Sequence, residues 1–284
     1  MFFHHTRKPI RRNVEDKLML PPMYGKVGTG LSDDEPIFSP KDFIRYEARR
    51  RNVDEEYFKV PERLLLCYER EAFEYAQQLL NGKPVEWFYS GLRPLSVGTA
   101  EGKEVGAFRS SVGAPAAIAM LEELIACGAE TIFEIGISGG LQPSLKPGDT
   151  VVVSEALRDE GTSSHYLPPE VKLESSSRLK ELLVQQLISD NIEYTIGPVW
   201  TTDGVYRETR RKFLKYSGQG VLAVDMETSA LFAVAKHRNV EIGSAQVISD
   251  VLSAEGWLPA FRHQAVSSSL KKLISSAVKA LAKT

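Results

Sequence analysis

Short hydrophobic runs alternate with segments of helical spacing over most of the chain. The runs predict buried strands at residues 64–68, 85–89, 95–99, 105–110, 131–135, 151–153, 194–199, 221–224 and 241–248. Helical spacing of apolar positions predicts helices at residues 71–80, 114–127, 178–188, 228–237 and 266–281. Strands that alternate with helices of this length predict an α/β fold with a mostly parallel sheet covered on both faces.

The first 60 residues differ in composition from the remainder of the chain. They contain a basic segment at residues 7–12, an acidic segment at residues 32–35 and several prolines. Ser39 followed by Pro40 predicts the start of a short helix. We interpret residues 1–60 as an arm that packs on the domain or on a neighbouring subunit, with disorder as the alternative, and residues 61–284 as one domain.

The overall composition excludes several classes of protein. Lys and Arg total 35 and Asp and Glu total 37, so the chain lacks the basic surplus that binding to a nucleic acid polymer requires. The longest apolar stretch, residues 114–129, is interrupted by Glu122 and Glu123, and we expect no membrane span or signal peptide. Cys67 and Cys127 lie in apolar segments and are expected to be reduced thiols of a cytoplasmic protein.

A glycine-rich segment, Gly136-Ile-Ser-Gly-Gly140, directly follows a predicted strand. Glycines let backbone N–H groups approach an anion or a sugar closely, so Gly136 and Ser138 are candidate substrate-binding residues. The next residues predict a loop instead of a helix, and the segment therefore does not match a dinucleotide-binding motif. A purely structural turn is the alternative.

Two acidic segments follow predicted strands at the edge where open sheets bind ligands. In Asp225-Met-Glu227, a carboxylate could accept hydrogen bonds from the vicinal hydroxyls of a sugar, or Asp225 or Glu227 could cap the following helix. In Ser249-Asp250, the acid that closes an apolar strand is a candidate proton donor, with a capping role as the alternative. His165 has no second histidine at ligand spacing, so no metal is predicted.

Taken together, these segments resemble the purine-nucleoside/uridine phosphorylase family, which also includes the nucleosidases. The similarity covers residues 64–281 and is strongest over residues 112–117, 134–149, 201–208, 224–230 and 248–250. The loop at residues 158–166 is similar to that of uridine phosphorylase members. Each motif alone is weak, but their order and spacing together are specific.

The resemblance implies a three-layer α/β/α fold around a mixed, partly barrel-like central sheet. It also implies cleavage of an N-glycosidic bond through an oxocarbenium-like ribosyl transition state. On this interpretation Glu227 holds the ribose hydroxyls, Met226 packs under the sugar, and Asp250 protonates or hydrogen-bonds a leaving purine. The base is expected to lie over residues 205–211, with Tyr206 lining it.

The chain departs from the family pattern at positions that contact phosphate. The phosphorylases have arginine where Glu134 stands and serine or threonine where Ile137 stands. A second phosphate-binding arginine of the family aligns with Glu71 or, after a slip of one residue, with Arg70. Because carboxylates that face phosphate in a poorly solvated pocket are costly, other residues must bind it or phosphate is not the acceptor. The candidate replacements are Arg109, Arg93 and, from a neighbouring subunit, Arg45 or Arg49.

The residues that would read the base give a mixed indication. Asp250 is typical of purine phosphorylases and nucleosidases, whereas uridine phosphorylases lack an acid there. Uridine members read the uracil edge with a glutamine and an arginine, and these two positions hold Thr209 and Arg211. Val205 replaces an aromatic residue that stacks on the sugar or the base, which weakens binding by roughly 1 kcal/mol.

Three functional hypotheses follow from the resemblance. The first is a nucleoside phosphorylase that uses phosphate as co-substrate, needs no cofactor, and converts a uridine or purine nucleoside to free base and ribose 1-phosphate. A nucleosidase that uses water, with Glu71 as the base, is the second. The third is a non-catalytic nucleoside-binding protein. The resemblance also implies a homo-oligomer, a dimer or a hexamer, in which a neighbour completes each site.

Overall fold

The computed structural model describes residues 35–88 and 92–284. Residues 39–284 form one compact unit, which includes the predicted helix after Ser39, here α1 (Pro40–Arg51). The side chain of Ser39 accepts a hydrogen bond from the backbone of Asp42, whose carboxylate bonds back to Ser39, so the helix begins with a capping box. Residues 1–34 of the predicted arm, and residue 89 of a predicted strand, lie outside the described residues. The arm therefore stays a prediction.

A mixed sheet lies at the centre of this unit. Its strands are β1 (Arg63–Cys67), β2 (Lys83–Val85), β3 (Leu95–Ala100), β4 (Lys103–Arg109), β5 (Thr131–Gly140), β6 (Thr150–Asp159), β7 (Thr195–Thr202), β8 (Ala223–Asp225), β9 (Glu241–Leu252) and β10 (Trp257–Pro259). They are arranged in the order β10-β9-β6-β7-β8-β5-β1-β4-β3-β2, and β9 also pairs with β5. This pairing joins β9, β6, β7, β8 and β5 into a closed ring, which confirms the expected partly barrel-like sheet.

Helices cover both faces of the sheet. The remaining helices are α2 (Arg70–Leu79), α3 (Ala114–Ala126), α4 (Ser177–Ser189), α5 (Arg210–Gly218), α6 (Thr228–Arg238) and α7 (Gln264–Leu281), with short 3-10 turns at Glu55–Phe58, Thr162–His165 and Val205–Arg207. The apolar faces of α1, α3 and α6 belong to one hydrophobic cluster, and those of α2, α4 and α7 belong to a second. The three-layer α/β/α arrangement is thereby confirmed.

Two strands extend further than their hydrophobic patterns predict. β5 continues through the glycine-rich segment to Gly140, so the prediction of a turn there is wrong. A side chain at position 139 would place its Cβ 2.8 Å from Leu252 Cδ1 and 3.2 Å from the Asp250 carboxylate, so glycine lets the two strands pair closely. β9 continues to Leu252, and Asp250 therefore lies within the strand instead of at its end.

Two short elements, α5 and β10, have no counterpart in the prediction. Tyr216 is the only buried residue among those of α5, and charged residues make up much of the helix, so no long apolar face marks it in the sequence. β10 has three residues and pairs antiparallel with the end of β9, with Trp257 opposite Leu252 and Pro259 opposite Asp250. This pairing brings an aromatic side chain next to the acid that the sequence singles out.

Candidate active site

A cavity of about 470 Å³ opens at the carboxyl ends of β1, β5, β8 and β9. β1 and β9 pair parallel with β5, so the carboxyl ends of these three strands meet at one edge of the sheet, and antiparallel pairing with the end of β5 brings β8 to the same place. The predicted site residues that line it are Ser138, Val205, Tyr206, Met226, Glu227 and Asp250. The cavity lining also includes residues that the sequence did not mark as site residues, among them Tyr68, Glu69, Glu208, Trp257 and Phe261.

Glu227 is buried in the cavity wall and held by the backbone. Its carboxylate accepts hydrogen bonds from the backbone N–H of Gly113 and from that of Met226, the latter at 3.2 Å. Burial and, next, the charge of Asp225 raise the pKa of Glu227 to about 8. A carboxyl group fixed in this way keeps lone pairs free to accept hydrogen bonds from sugar hydroxyls.

Asp225 takes the capping role that the sequence leaves open for either acid. Its Oδ1 accepts hydrogen bonds from the backbone N–H groups of Glu227 and Thr228, at 3.2 and 3.3 Å, at the start of α6. Its Oδ2 lies 2.6 Å from the Gln246 side-chain amide and 2.5 Å from the Thr228 hydroxyl. Burial raises the pKa of Asp225 despite these donors. The carboxylate oxygens of Asp225 therefore already accept hydrogen bonds from groups of the protein. Glu227 is the carboxyl that remains available to a sugar.

Glu134, which stands where the family has an arginine, is fully buried in β5. It accepts a hydrogen bond from the Tyr68 hydroxyl at 2.8 Å, and its other oxygen lies 3.0 Å from the Thr228 hydroxyl. Thr228 has one hydroxyl hydrogen but lies between the carboxyls of Glu134 and Asp225, so both contacts are hydrogen bonds only when one carboxyl carries a proton. Burial and, next, the charge of Asp225 raise the pKa of Glu134 to about 7.

The sequence predicts that a ligand binds next to Gly136, but the ring of Tyr68 lies there instead. A Cβ at Gly136 would lie 3.1 Å from Cδ2 of the Tyr68 ring, so glycine here admits a protein side chain. Burial and, next, the charge of Glu134 raise the pKa of Tyr68 well above its ordinary value, which keeps its hydroxyl a hydrogen-bond donor. Ile137 lines the cavity nearby and supplies an apolar wall.

Asp250 is buried and receives a hydrogen bond on each carboxylate oxygen. The Ser249 hydroxyl donates to Oδ1 at 2.6 Å, and the indole N–H of Trp257 donates to Oδ2 at 2.7 Å. Trp257 and Phe261 are about half exposed and line the cavity beside Asp250. The acid therefore has a fixed orientation, set by its own strand and by β10.

Two further glutamates line the cavity. Burial and, next, the charge of Asp250 raise the pKa of Glu208 to about 7. Burial also raises the pKa of Glu69, although the positive charge of Arg109 acts in the opposite direction. Glu69 precedes the first turn of α2, whereas Glu71, which the sequence placed at the pocket, is exposed on that helix. The correction follows from where α2 begins: the chain leaves the cavity after Glu69.

The candidate phosphate-binding arginines lie beside the cavity or away from it. Arg109 donates from Nε to the carbonyl oxygen of Tyr68 at 3.3 Å, and Arg93 donates to the hydroxyl of Ser111 at 2.5 Å. Of the residues in the ranges 35–88 and 92–284, no lysine or arginine lines the cavity. Arg70 is exposed on α2 and pairs with a glutamate on the same helix.

Arg45 lies at the opposite end of the sheet from the cavity. It pairs with Asp42 at 3.0 Å and Glu55 at 3.2 Å, beside residues 126–128, which precede β5. Arg45 cannot reach the cavity of its own chain from there, and its contribution to a neighbouring subunit's site stays a prediction.

The residues predicted to contact the base divide into two groups. Val205 and Tyr206 lie on the 3-10 turn at the cavity rim, where Tyr206 is 97% exposed. Thr209 is the N-cap of α5 and accepts a hydrogen bond from the backbone N–H of Lys212 at 3.4 Å. Arg211 is exposed on the same helix. The cavity lining thus includes Glu208 in place of the pair that would read uracil.

Among the described residues, no group of histidine, cysteine, aspartate and glutamate side chains is arranged to hold a metal ion. No helix in the same part of the chain is both long and apolar enough to cross a membrane.

Comparison with known proteins identifies the family. Residues 65–282 match the model of the phosphorylase superfamily. The chain belongs to this superfamily. Membership agrees with the resemblance seen in the motifs.

Individual relatives are distant. Guanosine phosphorylase from Halorubrum lacusprofundi is 28% identical over 154 residues, which cover 54% of this chain and 64% of the relative. Uridine phosphorylase from Treponema pallidum is 28% identical over 155 residues, which cover 51% of this chain and 60% of the relative. The chain thus spans less than two thirds of the length of these curated relatives, and they differ in the base that their names specify.

Solved structures share the fold. Uridine phosphorylase from Vibrio fischeri superposes with a TM-score of 0.72 at 23% identity, covering 80% of this chain and 95% of that one. Purine nucleoside phosphorylase from Toxoplasma gondii, in complex with immucillin-H, gives a TM-score of 0.73 at 20% identity, covering 80% and 92%. At identities below 25%, these superpositions show that the chain shares the fold of the two enzymes.

Proposed function

We propose that the protein cleaves the N-glycosidic bond of a ribonucleoside and releases the free base. The observation that carries this proposal is the presence of Glu227 and Asp250, each fixed by two hydrogen bonds, in the wall of one cavity. Glu227 accepts hydrogen bonds from the ribose hydroxyls, Met226 packs under the sugar, and Asp250 faces the base. Positive charge develops on the ribose as the bond breaks, and the carboxyl oxygen atoms that line the cavity stabilise that charge.

Phosphate is the acceptor that membership of the superfamily supports, and the products are then free base and ribose 1-phosphate. Arg109 and Arg93 are the proposed phosphate ligands, because they contact Tyr68 and Ser111 next to the cavity wall. A guanidinium has five N–H donors, and the present hydrogen bonds use one of Arg109 and two of Arg93, so donors remain for a phosphate oxygen.

Water is the second candidate acceptor, and Glu69 is the observation that favours it. Its Oε2 is buried and makes no hydrogen bond with the described residues, although the residue lines the cavity. Burial raises the pKa of Glu69 towards the range in which a carboxylate is an effective general base. A water molecule bound there would attack the ribose and give free ribose in place of ribose 1-phosphate.

The two acceptors are distinguished by product analysis. Purified protein is incubated with inosine, adenosine, guanosine or uridine, with and without phosphate, and base and sugar products are quantified. Base release that requires phosphate and yields ribose 1-phosphate supports the first candidate, whereas phosphate-independent release of ribose supports the second. Glu69→Gln should abolish only hydrolysis, and Arg109→Met should raise only the KM for phosphate.

Glu227→Gln tests the proposed sugar-binding role under either acceptor. The amide nitrogen of glutamine cannot accept a hydrogen bond, so the variant loses one backbone donor and an acceptor for the ribose hydroxyls, and we expect turnover to fall by about 100-fold or more. Glu104→Gln, on the exposed start of β4, is the matched control and should retain wild-type turnover. Circular dichroism and a thermal melt confirm folding, and unchanged turnover in a folded Glu227→Gln variant contradicts the role.

A further inference from the structure

Tyr68 lines the cavity and is fixed both at its backbone and at its hydroxyl. The hydroxyl donates a hydrogen bond to Oε1 of Glu134 at 2.8 Å, and the backbone carbonyl oxygen accepts one from Nε of Arg109 at 3.3 Å. Because the hydroxyl hydrogen is committed to Glu134, the part of Tyr68 that remains for a ligand is chiefly its ring. A side chain fixed in this way loses little conformational freedom when a ligand packs on it.

The ring of Tyr68 packs directly against the backbone of β5. A Cβ at Gly136 would lie 3.1 Å from Cδ2 and 3.2 Å from Cε2 of the ring, so a larger residue there would displace the ring. Glu134 and Gly136 lie two residues apart on β5 and therefore on the same face of the strand. One of them binds the hydroxyl and the other leaves room for the ring, so together they set the position of Tyr68.

The same contacts lead from Tyr68 to the proposed sugar-binding carboxyl. Oε2 of Glu134 lies 3.0 Å from the hydroxyl of Thr228, which directly follows Glu227 in the chain. Burial and, next, the charges of Glu134 and Glu227 raise the pKa of Tyr68 well above its ordinary value, so the phenol lies within electrostatic reach of Glu227. Tyr68 and Glu227 therefore lie close to each other in the wall of the same cavity.

We propose that the ring of Tyr68 is a wall of the ribose subsite, and that Glu134 is the positioning residue that holds this ring in place. This inference rests on the proposed function, because Glu227 defines where the ribose binds. A ribose carries apolar C–H groups as well as hydroxyls, and an aromatic ring can cover the C–H groups while Glu227 accepts from the hydroxyls. Glu134 stands where the family has an arginine, so at this position the chain has a support for an aromatic wall in place of an anion ligand.

The role of the ring is tested by steady-state kinetics in phosphate buffer. The substrate is the nucleoside that wild type cleaves fastest among inosine, adenosine, guanosine and uridine, and the inhibition constant of its free base is measured alongside. Tyr68→Leu removes the ring, and we expect the KM for the nucleoside to rise by about 10-fold. The free base has no ribose, so its inhibition constant should stay near that of wild type.

The role of Glu134 is tested by variants that remove the hydrogen bond but keep the ring. Tyr68→Phe and Glu134→Met should each raise the KM for the nucleoside by about fivefold, with kcat little changed. The double variant should be no worse than either single variant, because both changes remove the same bond. Glu134→Gln keeps an oxygen that accepts from the hydroxyl and should restore a KM near that of wild type, an order that a merely structural role would not produce.

Tyr57→Phe is the matched control. Tyr57 also donates to a glutamate, Glu86, at 2.6 Å, but it lies on the 3-10 turn Glu55–Phe58, outside the cavity lining, and the variant should keep the wild-type KM. Circular dichroism and a thermal melt confirm folding of each variant. Should Glu134→Met fail to fold, an unchanged KM in Tyr68→Phe by itself overturns the positioning role.

The outcomes separate this inference from the proposed function. An unchanged nucleoside KM in folded Tyr68→Leu overturns the inference, as does an equal rise in the inhibition constant of the free base, while base release by wild type still supports the proposed function. Absence of base release by wild type from every nucleoside overturns both.

Discussion

Glu134→Gln is expected to make the protein less sensitive to alkaline pH. The carboxyl of Glu134 has a pKa of about 7 in the folded protein against an ordinary value of 4.5, because of its burial and the charge of Asp225. Between these two pH values the folded state binds more protons than the unfolded state, so stability falls as the pH rises through the window. Glutamine cannot ionise, and it keeps an oxygen to accept from the Tyr68 hydroxyl and an amide to donate to Thr228.

The size of the effect follows from the difference between the folded and unfolded pKa values. Each pKa unit corresponds to about 1.4 kcal/mol, so wild type should lose about 3 kcal/mol of unfolding free energy between pH 5 and pH 8 that Glu134→Gln retains. The assay is urea denaturation at fixed protein concentration and at several pH values. Glu71→Gln, on the exposed face of α2, is the control and should follow wild type. Parallel stability profiles for wild type and Glu134→Gln would refute the reasoning.

Two further predictions concern groups outside the cavity. Burial raises the pKa of the Cys67 thiol and raises the pKa of the Cys127 thiol to about 12. Ellman's reagent should therefore react with neither thiol in the native protein and with both in denaturant. Rapid reaction of the native protein contradicts this prediction. Arg238 on α6 donates to the Glu122 carboxylate on α3 at 2.7 and 2.9 Å, and Arg238→Met should lower the unfolding free energy by about 1–2 kcal/mol in a urea titration. An unchanged midpoint would show that the pair contributes nothing.

The layers of the fold could be predicted because they depend on hydrophobic periodicity. The helices on both faces bury one apolar side each, and the strand cores are continuous apolar runs. Strand ends are a different matter. β5 and β9 continue as Gly139-Gly140 and Ser249-Asp250, small or polar residues that resemble turn signals until the opposite strand is known.

The sequence could predict those site residues whose role is visible in a local motif. Asp250 lies on β9 and Glu227 directly precedes α6, and the structure places both in the cavity. Glu69 was missed because its place depends on where α2 begins, a boundary that is uncertain by a residue or two in any pattern analysis. A signal for it existed, since Glu69 lies just after the predicted strand 64–68 and two residues before the predicted helix 71–80.

Glu208 and Trp257 were missed for another physical reason. Glu208 follows a turn without regular spacing, and its raised pKa depends on Asp250, which is 42 positions later in the sequence. Trp257 contacts Asp250 only because β10 folds back on β9. Interactions of this kind are properties of the tertiary structure, and no local pattern contains them.

An acid-lined cavity and an anionic acceptor are compatible if the acids are neutral when the anion binds. Two unit charges about 4 Å apart interact by about 4 kcal/mol at the effective dielectric typical of a protein surface, so an ionised Glu69 in the cavity lining would oppose phosphate strongly. The pKa of Glu134 is about 7 and that of Glu69 is raised, so both accept a proton more readily than an exposed glutamate. Phosphate binding would then be accompanied by proton uptake at these carboxyls, which removes the repulsion that their ionised forms would exert on the anion.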